Sequence, residues 1–149
     1  MITLLILFGS YGVLYGLAHL GVFSEAVTQM DLAAYAMSFF LVFFGLSHFY
    51  KCKDLLRIVP GWVPFPRQTV YVTGVMELMF AIGLLIPSIR FATGIALVLF
   101  FVAIFPANLN KAMKGLHIPG ALSSNLLSWV RLAYQPLFIG WTLYSIEVL

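Results

Sequence analysis

The sequence predicts an all-α protein, a polytopic bundle of helices that spans a lipid bilayer. Of the 149 residues, 62% are hydrophobic and only 9% are charged, whereas soluble domains carry about 25% charged residues. The apolar residues also form continuous runs, which argue against a lipid-exposed β-barrel. We therefore expect lipid to be the solvent for most of the chain, which forms a single transmembrane domain.

Five apolar runs are separated by short polar connections, and each is long enough to cross a hydrocarbon core of about 30 Å. Backbone polar groups in lipid need internal partners, so each run is predicted to be a helix. The first run has no Lys or Arg before its apolar core and is interpreted as a retained span rather than a cleaved signal peptide. The runs cover residues 2–23, 32–50, 69–87, 91–110 and 126–146.

Polar and helix-breaking residues mark the first two connections. Ser24, Glu25 and Asp31 indicate an acidic first turn. The second connection contains RIVPGWVPFP at 57–66, whose prolines prevent a continuous helix. Its aromatic residues, Trp62 and Phe65, are expected at the membrane–water interface, where aromatic rings are favoured.

The third connection is predicted to be a tight turn, Pro87-Ser88-Ile89-Arg90, which makes the third and fourth runs an antiparallel hairpin. The fourth, residues 111–125, is polar and contains Gly and Pro. Pro106 and Pro136 stand inside the last two runs, where they are expected to loosen the helix and free backbone carbonyls.

The charge distribution predicts the orientation of the chain. With five spans, the N-terminus and the second and fourth connections share one side, and the opposite side has only Arg90 as a cation. The positive-inside rule then places the N-terminus in the cytoplasm and the C-terminus outside, and we expect a bacterial inner membrane. The net charge of +3 therefore indicates topology and not nucleic-acid binding. The six cations of the cytoplasmic side are Lys51, Lys53, Arg57, Arg67, Lys111 and Lys114.

Polar side chains inside apolar runs are costly in lipid and are therefore candidates for function. At a rise of about 1.5 Å per residue, five of them, from four helices, fall in the cytoplasmic half of the bundle. We expect Glu77 to pair with Arg131, because a buried charge needs a partner. The alternative is a structural ion pair that only fixes how two helices dock. The five residues are His48, Glu77, Asn108, Arg131 and Gln135.

Several segments together resemble the DoxX-like family of small membrane proteins. They are GLSHF at 45–49, RIVPGWVPFP at 57–66, YVTGVMELMFAIGLLIP at 71–87, Arg90, VAIFPANLNKAM at 102–113 and VRLAYQP at 130–136. The resemblance covers about residues 32–146 and implies a four-helix core of runs two to five, with run one as an N-terminal addition. Cys52-Lys53-Asp54 departs from the pattern, since the family often has a proline and an acidic residue there. That departure leaves the geometry of the second connection open.

The resemblance also implies a redox theme without an agreed reaction. Members of the family are subunits of a thiosulfate:quinone oxidoreductase, take part in hydroquinone resistance or join oxidative-stress complexes, and distant eukaryotic relatives look like membrane chaperones. The positions here that carry the family's pattern are His48, Pro60, Pro64, Gly74, Glu77, Pro106, Asn108, Arg131 and Gln135.

The first functional hypothesis is a cytoplasm-facing pocket that binds a quinone or a similar small aromatic head group. The polar cluster would supply hydrogen bonds and a proton-exchanging group, and Trp62 and Phe65 would form a lid. The single cysteine, Cys52, excludes a CxxC motif, and no covalent cofactor or metal site is expected. The chain is therefore not expected to be a stand-alone enzyme, and any electrons would pass through a partner as in an oxidoreductase subunit.

The second hypothesis is a non-enzymatic scaffold, chaperone or accessory subunit. Gly9, Gly12 and Gly16 in the first run include a GxxxG-like pair that suits docking against a membrane protein partner or a second copy. The alternative is that these glycines pack locally against the core bundle. Transport of a small solute or proton is a third hypothesis, which the lack of an internal repeat disfavours.

Overall fold

The computed structural model describes residues 2–24, 26–115 and 125–149, apart from the side chains of residues 125–128 and 131. This part of the chain is helical, without strands, which confirms the predicted helical bundle. Four helices, α1, α2, α4 and α5, have the length and hydropathy to cross a membrane. The crossing of α6 stays a prediction. The helices are α1 (Ile2–His19), α2 (Gln29–Tyr50), α3 (Cys52–Leu56), α4 (Pro66–Leu85), α5 (Pro87–Met113) and α6 (Asn125–Ser145).

The start of α2 corrects the predicted first turn. Asp31 lies inside α2 and not in the connection. Its backbone N–H donates to Thr28 Oγ1 (3.1 Å), and its carboxylate accepts from the Thr28 backbone N–H (2.8 Å). This reciprocal capping box satisfies two backbone donors that a helix start leaves unpaired, so the helix extends to Gln29. Glu25 lies outside the described residues.

The hairpin between α4 and α5 is tighter than predicted. Only Ile86 separates the two helices, and residues 87–90 form the first turn of α5 instead of the connection. Pro87 begins the helix because its missing N–H is not needed at that position and its ring presets a helical φ angle. Pro66 begins α4 in the same way, three residues before the predicted run.

The second connection is non-helical over residues 57–65, as its prolines predict. The short helix α3 precedes it and was not predicted from the sequence. Asn110 Nδ2 on α5 donates to the Ile58 carbonyl (2.9 Å), and Pro60 is buried, so the connection is held against the bundle. Phe65 ends it with a left-handed backbone (φ 52°), a conformation that non-glycine residues rarely adopt.

Helices α2, α4, α5 and α6 form a ring in which each packs against two neighbours, with α4 and α6 on one diagonal and α2 and α5 on the other. Helix α1 packs outside this ring against α2, and its Phe8 and Tyr11 rings contact Trp141 of α6 at 5.2 Å between centroids. The arrangement is a four-helix core with one additional N-terminal helix. Its buried apolar centre comprises Leu7, Ala36, Met37, Phe40, Leu41, Ala81, Leu84, Leu97, Phe100, Phe101 and Ile146.

The two ends of the bundle differ in their connections. One end carries α3 and residues 57–65, and we call it the α3 end. The other carries the hairpin at Ile86 and the start of α5, and we call it the Arg90 end. In the predicted orientation the α3 end faces the cytoplasm.

Candidate functional site

The candidate site centres on His48 of α2 and Glu77 of α4. His48 Nδ1 lies 3.5 Å from Glu77 Oε2 and 3.0 Å from the backbone carbonyl of Phe44. Because a carbonyl only accepts hydrogen bonds, Nδ1 carries a proton and donates to Phe44. In a neutral His48 ring, Nε2 is then an acceptor. The sequence placed both residues in one cluster but paired neither with the other.

Two glycines allow these side chains to meet. A Cβ built on Gly74 of α4 would lie 2.6 Å from the His48 Cβ, and one on Gly45 of α2 would lie 3.1 Å from the Gly74 carbonyl oxygen. Helical side chains lean toward the N-terminus of their own helix, so in antiparallel α2 and α4 His48 and Glu77 lean toward each other. They meet beside Gly74, where the helix backbones approach most closely.

The Glu77 carboxyl group is buried, and the described residues do not satisfy all of its hydrogen bonds. Its side chain is 9% exposed, and its Oε2 has no hydrogen-bond partner among the described residues. A buried carboxyl group that lacks partners is costly, and an ionisable side chain inside a membrane-spanning helix is therefore a candidate for function. Within the same part of the chain, no group of three or more His, Cys, Asp or Glu residues is placed to hold a metal ion.

A second polar pair joins α5 to α6. Asn108 Nδ2 donates to Gln135 Oε1 (3.3 Å), and the buried Gln135 amide donates in turn to the Phe101 carbonyl. The neighbouring Val102 carbonyl lacks its usual helical donor because Pro106 has no N–H. Helix α5 nevertheless continues through Pro106, and α6 through Pro136. Both members of this pair belong to the predicted cluster.

The side chain of Arg131 lies outside the described residues, and so does the predicted pair of Glu77 with Arg131. The helix backbones still fix the position of Arg131 along the length of the bundle. Ser38 Oγ donates to the Ala81 carbonyl (2.6 Å), and Trp141 Nε1 donates to the Ala33 carbonyl (3.0 Å). Counting along the antiparallel helices from these bonds puts Glu77 about level with residue 42 of α2, and Arg131 about level with residue 43.

Trp62 and Phe65, the predicted lid, lie on the surface of the α3 end. Their exposed fractions are 74% and 71%. Neither ring contacts another aromatic ring of the described residues. Their role as a lid stays a prediction.

An ion pair between Arg90 and Asp31 lies at the Arg90 end and was not predicted from the sequence. Arg90 Nη1 lies 2.5 Å from Asp31 Oδ1, and Arg90 Nε donates to the Leu84 carbonyl (2.8 Å). The pair joins residues 59 positions apart. The sequence feature that could have indicated the pair is that Asp31 and Arg90 both lie at the outer ends of predicted spans, where charged side chains are stabilised by partners.

The comparisons with known proteins identify a family but no activity. A family model described as a domain of unknown function, DUF8561, matches residues 37–145. The match begins within α2 and leaves α1 outside it. Neither the curated proteins nor the solved structures include a match to this chain.

Proposed function

The chain belongs to the DUF8561 family, and we propose that it is a membrane protein that binds a quinone or a similar small aromatic head group beside His48 and Glu77. The observation that carries this proposal is the Glu77 carboxyl group, which is buried while its Oε2 lacks a hydrogen-bond partner among the described residues. A ligand that hydrogen-bonds to this oxygen would remove the cost of its burial.

The chemistry of the two side chains suits both oxidation states of such a ligand. An ionised Glu77, or the His48 Nε2 acceptor, accepts a hydrogen bond from the hydroxyl group of a hydroquinone. A protonated Glu77 donates instead to the carbonyl of a quinone. Arg131, whose α6 backbone lies about level with Glu77, would donate to the same head group. Asn108 lies on α5 and Gln135 on α6, the helices that pack against α4 and α2 respectively.

The resemblance to DoxX-like proteins supports a redox- or stress-associated role. In this proposal the chain is a binding or accessory subunit and not a stand-alone enzyme, because its single cysteine leaves no dithiol to carry electrons. We place it in the bacterial inner membrane with the N-terminus in the cytoplasm and the C-terminus outside. That orientation puts the His48–Glu77 pair in the half of the bundle nearer the cytoplasm.

The proposal predicts that a short-chain benzoquinone, or its hydroquinone, raises the melting temperature of the purified protein. At a ligand concentration 100 times Kd, the stabilisation is about 2.7 kcal/mol, which corresponds to a shift of roughly 5–10 °C in a chain of this size. Glu77→Gln and Arg131→Met are expected to abolish the shift. Thermal unfolding of each variant, with and without ligand, measures it.

The unliganded variants separate binding from structure. Glu77→Gln is isosteric and replaces a buried ionisable group with a neutral amide, so without ligand it is expected to melt at or above the wild-type temperature. Thr142→Val, an isosteric change at a fully buried position toward the Arg90 end, is the matched control and keeps the ligand shift. A wild-type protein whose melting temperature no quinone or hydroquinone raises would contradict the proposal.

A second candidate function, association through α1, is favoured by the exposure of its glycine face. A Cβ built on Gly9, Gly12 or Gly16 would meet no atom within 4 Å in the described part of the chain. At 100° per residue these glycines lie opposite the face that Leu7 and Tyr11 turn to the core. The described part of the chain therefore leaves this face open to a membrane protein partner or a second copy.

If α1 mediates self-association, replacing Gly12 with leucine is expected to convert cross-linkable dimers to monomers, because close backbone approach requires small residues. Cross-linking in native membranes, followed by size analysis, measures the change. Leu5→Ile, on the same exposed face, is a control that keeps the glycines. Recovery of the wild-type protein only as a monomer without partners would contradict this function.

A further inference from the structure

The α3 end carries a dense cluster of exposed cations that neither proposed function uses. Five Lys and Arg side chains are exposed there, and the acidic residue among them, Asp54, is half-buried. Their charge is therefore largely uncompensated by the described residues of this end. We call this surface the basic collar, and its cations are Lys51, Lys53, Arg57, Arg67 and Lys114.

Large exposed rings stand among these cations. Tyr50 is 80% exposed, and Trp62 and Phe65 follow in the non-helical connection. Exposed rings of this size are unfavourable in water, whereas the headgroup region of a bilayer accommodates an apolar ring and a polar atom together. The collar adjoins the ends of three helices with membrane-spanning character, α2, α4 and α5, so its rings reach that region.

The backbone of the second connection is held against the bundle, which fixes the positions of Trp62 and Phe65. Pro60 is buried, the Val63 N–H donates to the Pro60 carbonyl (3.0 Å), and Asn110 ties Ile58 to α5. Phe65 keeps a left-handed backbone that costs free energy. A connection built in this way buries Pro60 and presents the rings of Trp62 and Phe65 outward.

We propose that the basic collar binds the headgroups of anionic phospholipids in the surrounding bilayer. The cations attract the phosphate groups of these lipids, and the rings insert beside their glycerol backbones. Lysine and arginine near an anionic membrane surface each contribute to attraction, and the effect falls off within about 10 Å at 0.1 M salt. A soluble acidic protein would satisfy the cations but would leave the rings in water, so the lipid surface fits the collar better.

The experiment compares lipid retention by native mass spectrometry after purification from mixed vesicles of phosphatidylglycerol and phosphatidylcholine. Wild-type protein is expected to retain phosphatidylglycerol preferentially. The preference for phosphatidylglycerol is expected to fall at least about tenfold in a quadruple variant, since each cation near the surface contributes about fivefold. The variant carries Lys51→Gln, Lys53→Gln, Arg57→Gln and Arg67→Gln. The charge-conserving exchanges Lys51→Arg, Lys53→Arg, Arg57→Lys and Arg67→Lys form the matched control and keep the preference.

Two further measurements make the outcome decisive. Retention of phosphatidylglycerol by the wild-type protein is expected to fall between 0.1 M and 1 M salt, as screening predicts. Equal retention of both lipids, or an unchanged preference in the quadruple variant, would overturn the proposal. A stabilisation by inorganic phosphate as large as that by phosphatidylglycerol would also overturn it, since the collar would then bind free phosphate without a membrane.

Discussion

Replacing Gly74 with alanine is expected to push α2 away from α4 and to lower the free energy of unfolding by about 1–3 kcal/mol, the usual cost of overpacking. The added Cβ would lie 2.6 Å from the His48 Cβ, closer than real Cβ atoms approach. The His48 Cβ is bonded directly to its backbone and cannot rotate away, so the helices must separate. Unfolding by denaturant in detergent micelles measures the loss.

The same substitution at Gly140 of α6 is the matched control, because a Cβ there would meet no described atom within 4 Å. Alanine is the better helix former, so Gly140→Ala is expected to raise the free energy of unfolding by up to about 1 kcal/mol. Gly74→Ala should also weaken any ligand shift, since it moves His48 relative to Glu77. Equal stability of the two variants would show that α2 and α4 do not cross at Gly74.

The helices themselves were predictable because hydrophobic runs long enough for a bilayer leave the backbone few alternatives. The ends of the helices were harder to predict. The predicted start of α2 was late because Asp31 was interpreted as a turn residue, although Thr28 and Asp31 form a capping box. The predicted turn at residues 87–90 was wrong because a proline can begin a helix as well as end one.

The sequence predicts which residues belong to the polar cluster but not which of them are in contact. Asn108 and Gln135 were both selected, and they form a hydrogen bond. The contact between His48 and Glu77 depends on the register of α2 against α4, which no spacing within either helix reveals. The close approach at Gly45 and Gly74 sets that register, and its packing role follows from the three-dimensional arrangement alone.

The ion pair between Arg90 and Asp31 also joins two helices, so spacing within one helix does not reveal it. Breaking this pair is the second substitution with a large expected effect on stability. Arg90→Met is expected to lower the free energy of unfolding by about 1–3 kcal/mol, because it leaves a partly buried Asp31 carboxylate without its counter-charge, although Thr28 still donates to that carboxylate. The side chains of Arg90 and Asp31 are 11% and 21% exposed. The variant also loses the donor to the Leu84 carbonyl, which ties the start of α5 to the end of α4.

A double-mutant cycle with Asp31→Asn separates the pair from its surroundings. The amide oxygen of the substituted side chain can still accept from the Thr28 N–H, so the variant keeps part of the capping box while it removes the charge. If the two charges act as a pair, the double variant recovers much of the loss, and the coupling energy exceeds about 1 kcal/mol. Arg67→Met, at an exposed arginine of the α3 end, is the control and is expected to change stability by less than about 0.5 kcal/mol. Additive single effects would mean that Arg90 stabilises this end only through its bond to the Leu84 carbonyl and not through Asp31.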